Sequence, residues 1–162
     1  TSDALKAIII ALLLIAIYVG FRFDRYYALG SISAIIHDIL VIIGIFSILN
    51  IEINLSIIAA LLTIVGYSLN DTIVVFDRIR ENIFNNTKEE LITVVNSSIN
   101  NTLSRTIVTS ITTLLVVTIL FIFGGEVINN FAFALILGVL VGTYSSIFIA
   151  SPIMIYFEKT KI

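Results

Sequence analysis

Asp71 is a carboxylic acid inside an apolar stretch that is long enough to cross a lipid bilayer. A carboxylate in the hydrocarbon core costs at least about 2.5–3.5 kcal/mol, so it needs a proton, a cation or a partner arginine. Gly66, Asn70 and Asp71 share one broad helix face, and the small Gly66 would let a neighbouring backbone approach the polar groups. This pattern predicts either a group that takes up and releases protons, or a buried acid that only locks a helix bundle.

Arg105 is the cation best placed to pair with the carboxylate of Asp71. It belongs to a stripe of polar side chains on one face of an otherwise apolar segment, and that stripe contains Thr102, Thr106, Thr109, Thr112 and Thr113. Such a stripe faces a bundle interior or a wet cavity rather than lipid. Arg105 either extends into the headgroups, as long cationic side chains do, or turns inward to Asp71 from an adjacent antiparallel helix. In the second case, its movement towards or away from the acid would load or unload the proton.

Two further groups of residues lie in other apolar stretches. His37 and Asp38 either belong to the same proton route or form a structural hydrogen bond to a neighbouring helix, and adjacent residues point about 100° apart, which disfavours a metal site. Gly138 and Gly142 form a GxxxG pattern, which favours close helix packing within the chain. The chain contains no Cys and one His. These counts exclude thiol catalysis and a histidine-based metal site, and no cofactor is expected.

The composition requires a membrane to surround these residues. The chain is 59% hydrophobic and 12% charged, whereas soluble domains are typically about 25% charged. Only helices satisfy their backbone internally within lipid. The sequence therefore predicts an all-α membrane protein, a single transmembrane domain with five spans at about residues 4–21, 28–49, 53–76, 106–123 and 127–157. Pro152 is expected to kink or end the last span.

The cationic residues predict the orientation of these spans. One set of span ends carries eight of the nine Lys and Arg residues, and the other carries only Lys6. The positive-inside rule places the richer set in the cytoplasm, the N-terminus of this chain outside and its C-terminus inside. Asp71 would then lie about 9 Å above the cytoplasmic end of its span, which Asp77 marks. A chain that begins outside with Thr1 rather than Met is expected to be a fragment from which an upstream span is missing.

The polar segment 78–104 is not expected to cross the membrane. Residues 87–90 (TKEE) have the spacing of a helix capping box, and Leu91, Val95, Ile99 and Leu103 recur every fourth residue on one helical face. The pattern predicts a short cytoplasmic amphipathic helix, which either lies on the membrane surface or packs under the bundle as a hinge.

Four of these segments resemble the SecF family of protein-export membrane proteins, in the SecD/SecF branch of the resistance-nodulation-division superfamily. The longest is GYSLNDTIVVFDRIREN at residues 66–82. SRTIVTS at residues 104–110, GTYSSIFIASP at residues 142–152 and ALGSI at residues 28–32, with the His37-Asp38 pair, are similar to further family motifs. The resemblance covers essentially the whole chain.

The resemblance implies half of a resistance-nodulation-division-type membrane domain in the bacterial cytoplasmic membrane. It implies SecD, the SecYEG channel, the translocating preprotein and membrane lipid as partners, with no nucleic acid. Together with SecD, the chain would use the proton motive force to promote preprotein translocation, with Asp71 and Arg105 in the proton pathway and Asn70, Asp38, His37 and Thr109 as weaker candidates. The family's leading helix and extracytoplasmic domain are not matched, and the choice between proton and sodium coupling stays open.

Two other functions are compatible with the polar residues. A non-conducting scaffold for SecD or the channel would need the packing glycines but not the acid at Asp71. An intramembrane aspartyl protease would need Asp38 and Asp71 at one water-accessible point, but their His-Asp and Asn-Asp contexts are not those such enzymes use. The sequence therefore favours a transport subunit that is not an enzyme.

Overall fold

The computed structural model describes residues 2–85 and 89–159, and almost all of this part is helical. The segments are α1 (Ser2–Arg22), α2 (Arg25–Ile48), α3 (Leu55–Asn85), α4 (Leu91–Phe123), α5 (Glu126–Ser145), a π-helical segment (Ser146–Ala150) and α6 (Ser151–Lys159). The all-α class is therefore confirmed. Within the described ranges, four helices are long and apolar enough to cross a membrane: Arg25–Ile48, Leu55–Asn85, Leu91–Phe123 and Ile128–Lys159.

The first predicted span, at residues 4–21, falls within α1. Helix α1 has 21 residues, and crossing the hydrocarbon core takes about 20, but α1 is not among the four candidate spans of the described residues. The helical conformation of this region is as expected, and its crossing of the membrane stays a prediction.

The segment 78–104 differs from its prediction. It holds no separate amphipathic helix in its described residues, because α3 continues to Asn85 and α4 runs without a break from Leu91 to Phe123. No Gly or Pro occurs between residues 91 and 123, so nothing interrupts the backbone hydrogen bonds. Glu90 is the N-cap residue of α4, and the proposed capping residue Thr87 lies outside the described residues. Arg105, directly before the span predicted at residues 106–123, therefore lies about four turns inside a helix.

The tight links between the helices have local causes. Asn54 accepts a hydrogen bond from the backbone N–H of Ile57 at 3.1 Å and so caps the start of α3. Gly125, between α4 and α5, has a φ of 74°, which glycine adopts without a steric penalty. The side-chain amide of Asn129 donates to the carbonyl of Phe121 at 3.0 Å. These contacts close α4 and α5 into an antiparallel hairpin.

Helix α5 packs closely against α3, and the GxxxG glycines form this contact. A Cβ at Gly138 would overlap the side chain of Ile64, and one at Gly142 would lie 3.1 Å from the Cβ of Ser68. Small residues let two helix backbones approach in this way. In contrast, only 17% of the apolar part of α4 is buried, so most of α4 lies at the edge of the bundle.

Gly138→Ala is expected to destabilise the full-length protein by about 1–3 kcal/mol, because the buried, β-branched Ile64 cannot easily move away from the new methyl group. The measurement is the thermal unfolding midpoint in detergent. Gly44→Ala is the control and should be neutral or slightly stabilising, since a Cβ there meets nothing within 4 Å. Ile64→Ala removes the overlapping atoms. The double variant should therefore be destabilised by less than the sum of the two single variants. Equal midpoints for the two glycine variants would contradict this packing.

Pro152 does not end the last span, which continues to Lys159. Pro152 lacks the N–H that a regular helix needs at this point, and the chain forms the π-helical turn Ser146–Ala150 directly before it. The wider turn accommodates the missing hydrogen bond. Of the two outcomes expected at Pro152, the helix does not end there, and a local change of helix type precedes the proline.

Candidate functional site

The facing sides of α3 and α4 form a seam that carries most of the predicted site. The Tyr67 hydroxyl donates to the Ser110 Oγ at 3.4 Å, and the Asn82 amide donates to the Ser98 Oγ at 2.8 Å. These two contacts fix an antiparallel register between the helices. Asp71 lies between these two contacts along α3, and the register places it opposite Thr106.

Asp71 is almost completely buried at this level of the seam. Its residue is 4% exposed, and Thr106 is 1% exposed. The Oδ2 atom of Asp71 is buried and has no hydrogen-bond partner among residues 2–85 and 89–159. A buried ionised carboxylate without a partner would be very costly, so this environment fits a protonated acid or a group whose partner lies outside the chain.

Arg105 lies beside this level but does not pair with Asp71. Among the ion pairs of the described residues none joins the two side chains. The exposed Arg105 instead borders a groove of about 310 Å³ between α3 and α4, which is also lined by Val74, Asp77, Arg78, Glu81, Asn101 and Thr102. The direct contact that one of the two interpretations of Arg105 required is therefore absent in this arrangement, and Arg105 shares the groove with the charged Asp77, Arg78 and Glu81.

Asp38 is the centre of a second polar cluster, between α2, α3 and α5. Its Oδ2 accepts hydrogen bonds from Ser68 Oγ at 2.6 Å and Ser145 Oγ at 2.8 Å. Its Oδ1 lies 3.1 Å from the Nδ1 of His37. The side chain of Asp38 is only 1% exposed. Asp38 therefore ties three helices together, which is the structural alternative that its position in the sequence left open.

The two membrane acids thus have opposite surroundings. Two hydroxyl donors point at Asp38, and this arrangement compensates for the lost hydration of a carboxylate. Asp71 has a buried oxygen with no donor. Of the two, Asp71 is the acid whose hydrogen bonds are incomplete within the described part of the chain, and it is the better candidate for proton exchange.

The threonine stripe of α4 is only partly turned towards the bundle. Thr102 and Thr106 are buried, but Thr112 is exposed. The hydroxyls of Thr109 and Thr112 donate to carbonyls of their own helix, at 2.9 Å to Arg105 and 2.9 Å to Val108. Threonine often satisfies its hydroxyl in this way. The stripe therefore does not form a continuous polar path, and Thr109 is not hydrogen-bonded to a neighbouring helix.

A second face of α3 points out of the chain. Asn70 and Gly66 are exposed, and a Cβ at Gly66 would meet nothing within 4 Å. Ala59 and Thr63 are also exposed. Residues 59, 63, 66 and 70 are four, three and four residues apart and therefore form one row along the helix. The expectation that Gly66 admits a neighbouring helix is therefore not met within the described part of the chain. Asn70 does not join Asp71 in the seam.

Three hydroxyl residues in the site were not predicted. Ser68 and Ser145 donate hydrogen bonds to Asp38. Ser110 contacts both Tyr67 and Thr143, and its Oγ lies 2.7 Å from the Oγ1 of Thr143. Buried hydroxyls in apolar spans need partners, so their presence was a signal. Which acceptor each one finds depends on how the helices are arranged. No group of three or more His, Asp or Glu side chains that could hold a metal ion occurs in the described ranges.

Residues 1–160 match the family model for the C-terminal part of the protein export membrane proteins SecD and SecF. The chain belongs to this family. The SecF protein translocase subunit of Rhodothermus marinus is 59% identical over 160 residues, covering 94% of this chain and 51% of the relative. The SecF subunit of Desulfurispirillum indicum is 51% identical, covering 96% of this chain and 51% of that relative. The chain therefore spans about half the length of these SecF relatives.

Solved structures of SecDF have the same fold. The crystal structure of SecDF from Thermus thermophilus, described as a translocon-associated membrane protein, matches with a TM-score of 0.94 and 47% identity over 97% of this chain and 22% of that chain. A second SecDF crystal structure, in a super-membrane-facing form, gives a TM-score of 0.88 with 48% identity, over 93% of this chain and 20% of that chain. With its apolar helices, the chain is a multi-pass membrane protein of the SecD/SecF family.

Proposed function

We propose that this chain is the proton-carrying membrane part of a SecF subunit, which works with SecD to promote preprotein translocation through the SecYEG channel. The observation that carries the proposal is the buried Asp71 carboxyl, with an oxygen that no group of the described residues satisfies. Intramembrane acids that face a bundle interior commonly serve proton relays. The SecF relatives are named as translocase subunits, which supports a role in transport without catalysis.

The chemistry is a cycle of protonation at Asp71. While Asp71 is shielded from water, it stays protonated and neutral, which avoids a charge in hydrocarbon. It then releases the proton to water in the groove between α3 and α4. Arg105 borders this groove, and its approach to Asp71 would stabilise the carboxylate left behind. Return of Arg105 to the groove would let the acid take up the next proton.

SecD is the proposed partner for the exposed face of α3. Asn70 and Gly66 lie on that face, and an amide facing lipid would lack hydrogen bonds. A small residue and a polar amide are what a tightly packed membrane helix pair uses. The matching SecDF chains are about five times longer than the matched part. We infer that a SecD helix packs on Gly66 and brings polar groups towards Asn70.

Gly66→Leu is expected to reduce co-purification of SecD strongly and to leave the chain itself folded. The reason is that the new side chain has open space within the chain but would block a helix packed on this face. The measurement is the ratio of SecD to the full-length chain after affinity purification, with the unfolding midpoint of the chain as the folding check. Gly44→Leu, at another uncrowded glycine, is the control. An unchanged SecD ratio for Gly66→Leu would place the partner on another face.

The orientation follows from the proposed positive-inside arrangement. Arg78, Arg80 and the groove would face the bacterial cytoplasm, and the C-terminus would lie on the same side. Protons would then enter from the outside and leave through the groove. This direction matches the proton motive force that bacterial membranes maintain.

The experiment that tests the function replaces Asp71 by Asn in the full-length chain with SecD, and follows proton uptake and preprotein translocation. We expect both to be lost while the complex assembles. If both stayed normal, the proton-carrying function would be ruled out, and the non-conducting scaffold would account for the chain.

A further inference from the structure

A chain of hydroxyl groups crosses the bundle one turn from Asp71. Thr143 Oγ1 donates to the carbonyl of Val139 at 2.6 Å, so the Ser110 hydroxyl donates to Thr143 Oγ1 at 2.7 Å. Tyr67 in turn donates to Ser110. The chain of donors thus runs Tyr67, Ser110, Thr143 and ends on a backbone carbonyl. A carbonyl has no proton to pass on, so these groups join α3, α4 and α5 but do not relay protons.

Asp71 lies between this hydroxyl chain and the groove. Tyr67 is four residues before Asp71, about 6 Å along the helix axis, and Val74, which lines the groove, is about 4.5 Å beyond it. Residues 67, 71, 74 and 78 follow one another on a single face of α3. On one side of Asp71, the hydroxyls of Tyr67, Ser110 and Thr143 form a hydrogen-bonded closure. On the other side, the charged groove begins within one helical turn.

The two sides differ in what they present to Asp71. The groove carries Asp77, Glu81 and Arg105, and such charged side chains hold water. On the other side, Ser110 is 6% exposed and the hydroxyls bind one another. The weakest member of the closure is the Tyr67–Ser110 contact, because 3.4 Å is long for a hydrogen bond between hydroxyls. A contact of this length suits a joint that opens and closes.

We propose that Tyr67, Ser110 and Thr143 form a gate that closes Asp71 from the side opposite the groove. The proposal rests on the proposed proton-carrying function of Asp71. In the arrangement described here the gate is shut. Asp71 is 4% exposed and does not itself line the groove, so it exchanges its proton with groove water when its side chain turns towards Val74. When the Tyr67–Ser110 contact breaks, a proton passes from water on the other side to the carboxylate of Asp71. Closing the gate before the groove opens prevents a continuous leak.

The test is proton leak in proteoliposomes that contain the full-length chain with SecD, an imposed pH gradient and no preprotein. Tyr67→Phe and Ser110→Ala are each expected to raise the leak several-fold. Adding Asp71→Asn to either variant should return the leak to its basal value, since the leak passes through the acid. Tyr18→Phe and Thr112→Val are the matched controls, because Tyr18 is exposed and the Thr112 hydroxyl binds its own helix.

A thiol probe reports the opening without relying on proton flux. Thr106 lies opposite Asp71, and the present sequence has no cysteine, so Thr106→Cys supplies a single reactive group once any cysteine elsewhere in the full-length chain is replaced. A membrane-impermeant thiol reagent, added on the side opposite the groove, should label it several-fold faster in the Ser110→Ala background. Co-purification with SecD shows that each variant is assembled.

Unchanged leak and unchanged labelling in both gate variants would overturn the gate. A leak that persists after Asp71→Asn would overturn it as well, because the path would then avoid the acid. These results are distinct from a failure of the proposed function, which is judged by Asp71→Asn alone. If that single variant abolishes proton uptake and the gate variants behave like their controls, the carrier stands and the gate does not.

Discussion

Asp71→Asn is expected to reduce proton-driven stimulation of preprotein translocation to the level of vesicles that lack the complex. Asparagine has nearly the same size as the acid and keeps a polar side chain, but it cannot take up or release a proton. The surrounding helices should therefore keep their packing, since Asp71 makes no hydrogen bond through its buried Oδ2 that the amide would break. The expected loss is one of coupling and not of folding.

The measurement compares translocation of a purified preprotein in vesicles with and without a protonophore. Native vesicles should lose their stimulation when the gradient is dissipated, and Asp71→Asn vesicles should show none to lose. The same preparation tested with a sodium gradient distinguishes the two coupling ions that the family resemblance leaves open. Co-purified SecD gives the check on assembly.

Glu52→Gln is the control, because Glu52 is an exposed acid in the link between α2 and α3, away from the seam. It should translocate like the native chain. If Asp71→Asn also behaved like the native chain, the acid would have only a structural role and the proton-carrying function would fail. If Asp71→Asn failed to assemble with SecD, the acid would instead be part of the interface, which also contradicts the proposal.

Asp38→Ala is expected to affect stability more than Asp71→Asn does. It should lower the free energy of unfolding by about 1–3 kcal/mol. The substitution leaves the buried hydroxyls of Ser68 and Ser145 without the acceptor that now receives them at 2.6 and 2.8 Å. These two bonds connect α2 to α3 and to α5, so their loss weakens the centre of the bundle. The measurement is the unfolding midpoint of the full-length protein in detergent.

Asp38→Asn separates hydrogen bonding from charge. Its side-chain oxygen still accepts from both serines, so the midpoint should fall less than in Asp38→Ala. Ser47→Ala, at an exposed position near the end of the same helix, should leave the midpoint unchanged. Equal midpoints for Asp38→Ala and Ser47→Ala would show that the cluster does not hold the helices together.

Asp71 and Asp38 show why two acids in apolar spans were hard to assign from the sequence. Both are expensive in hydrocarbon, and the sequence places each beside a polar neighbour, Asn70 or His37. In the structure, Asp38 receives serine hydroxyls from two other helices, whereas Asp71 receives none at Oδ2. The serines are 30 and 107 residues away from Asp38, so no local pattern could reveal which acid they serve.

Helix α4 shows the limit of local patterns in a different way. The polar residues between 91 and 104 looked like the surface of a separate helix, yet the backbone continues unbroken to Phe123. Polarity indicates which environment a segment can tolerate, but a helix ends only where its hydrogen bonds are interrupted. At Pro152 the sequence contains a helix-breaking residue, yet the helix does not end. A π-helical turn before the proline accommodates the missing N–H, and the helix continues to Lys159.

The amino-acid sequence alone determined that the chain is an all-α membrane protein and that Asp71 is costly where it lies. It did so because hydrophobicity and charge are properties of single residues, and their cost in lipid does not depend on the fold. The tertiary structure alone decided that Asp71 lies unpaired between a hydroxyl closure and a charged groove, with Arg105 facing the groove. Contacts of this kind depend on the register of neighbouring helices, and that register is set by packing over the whole bundle.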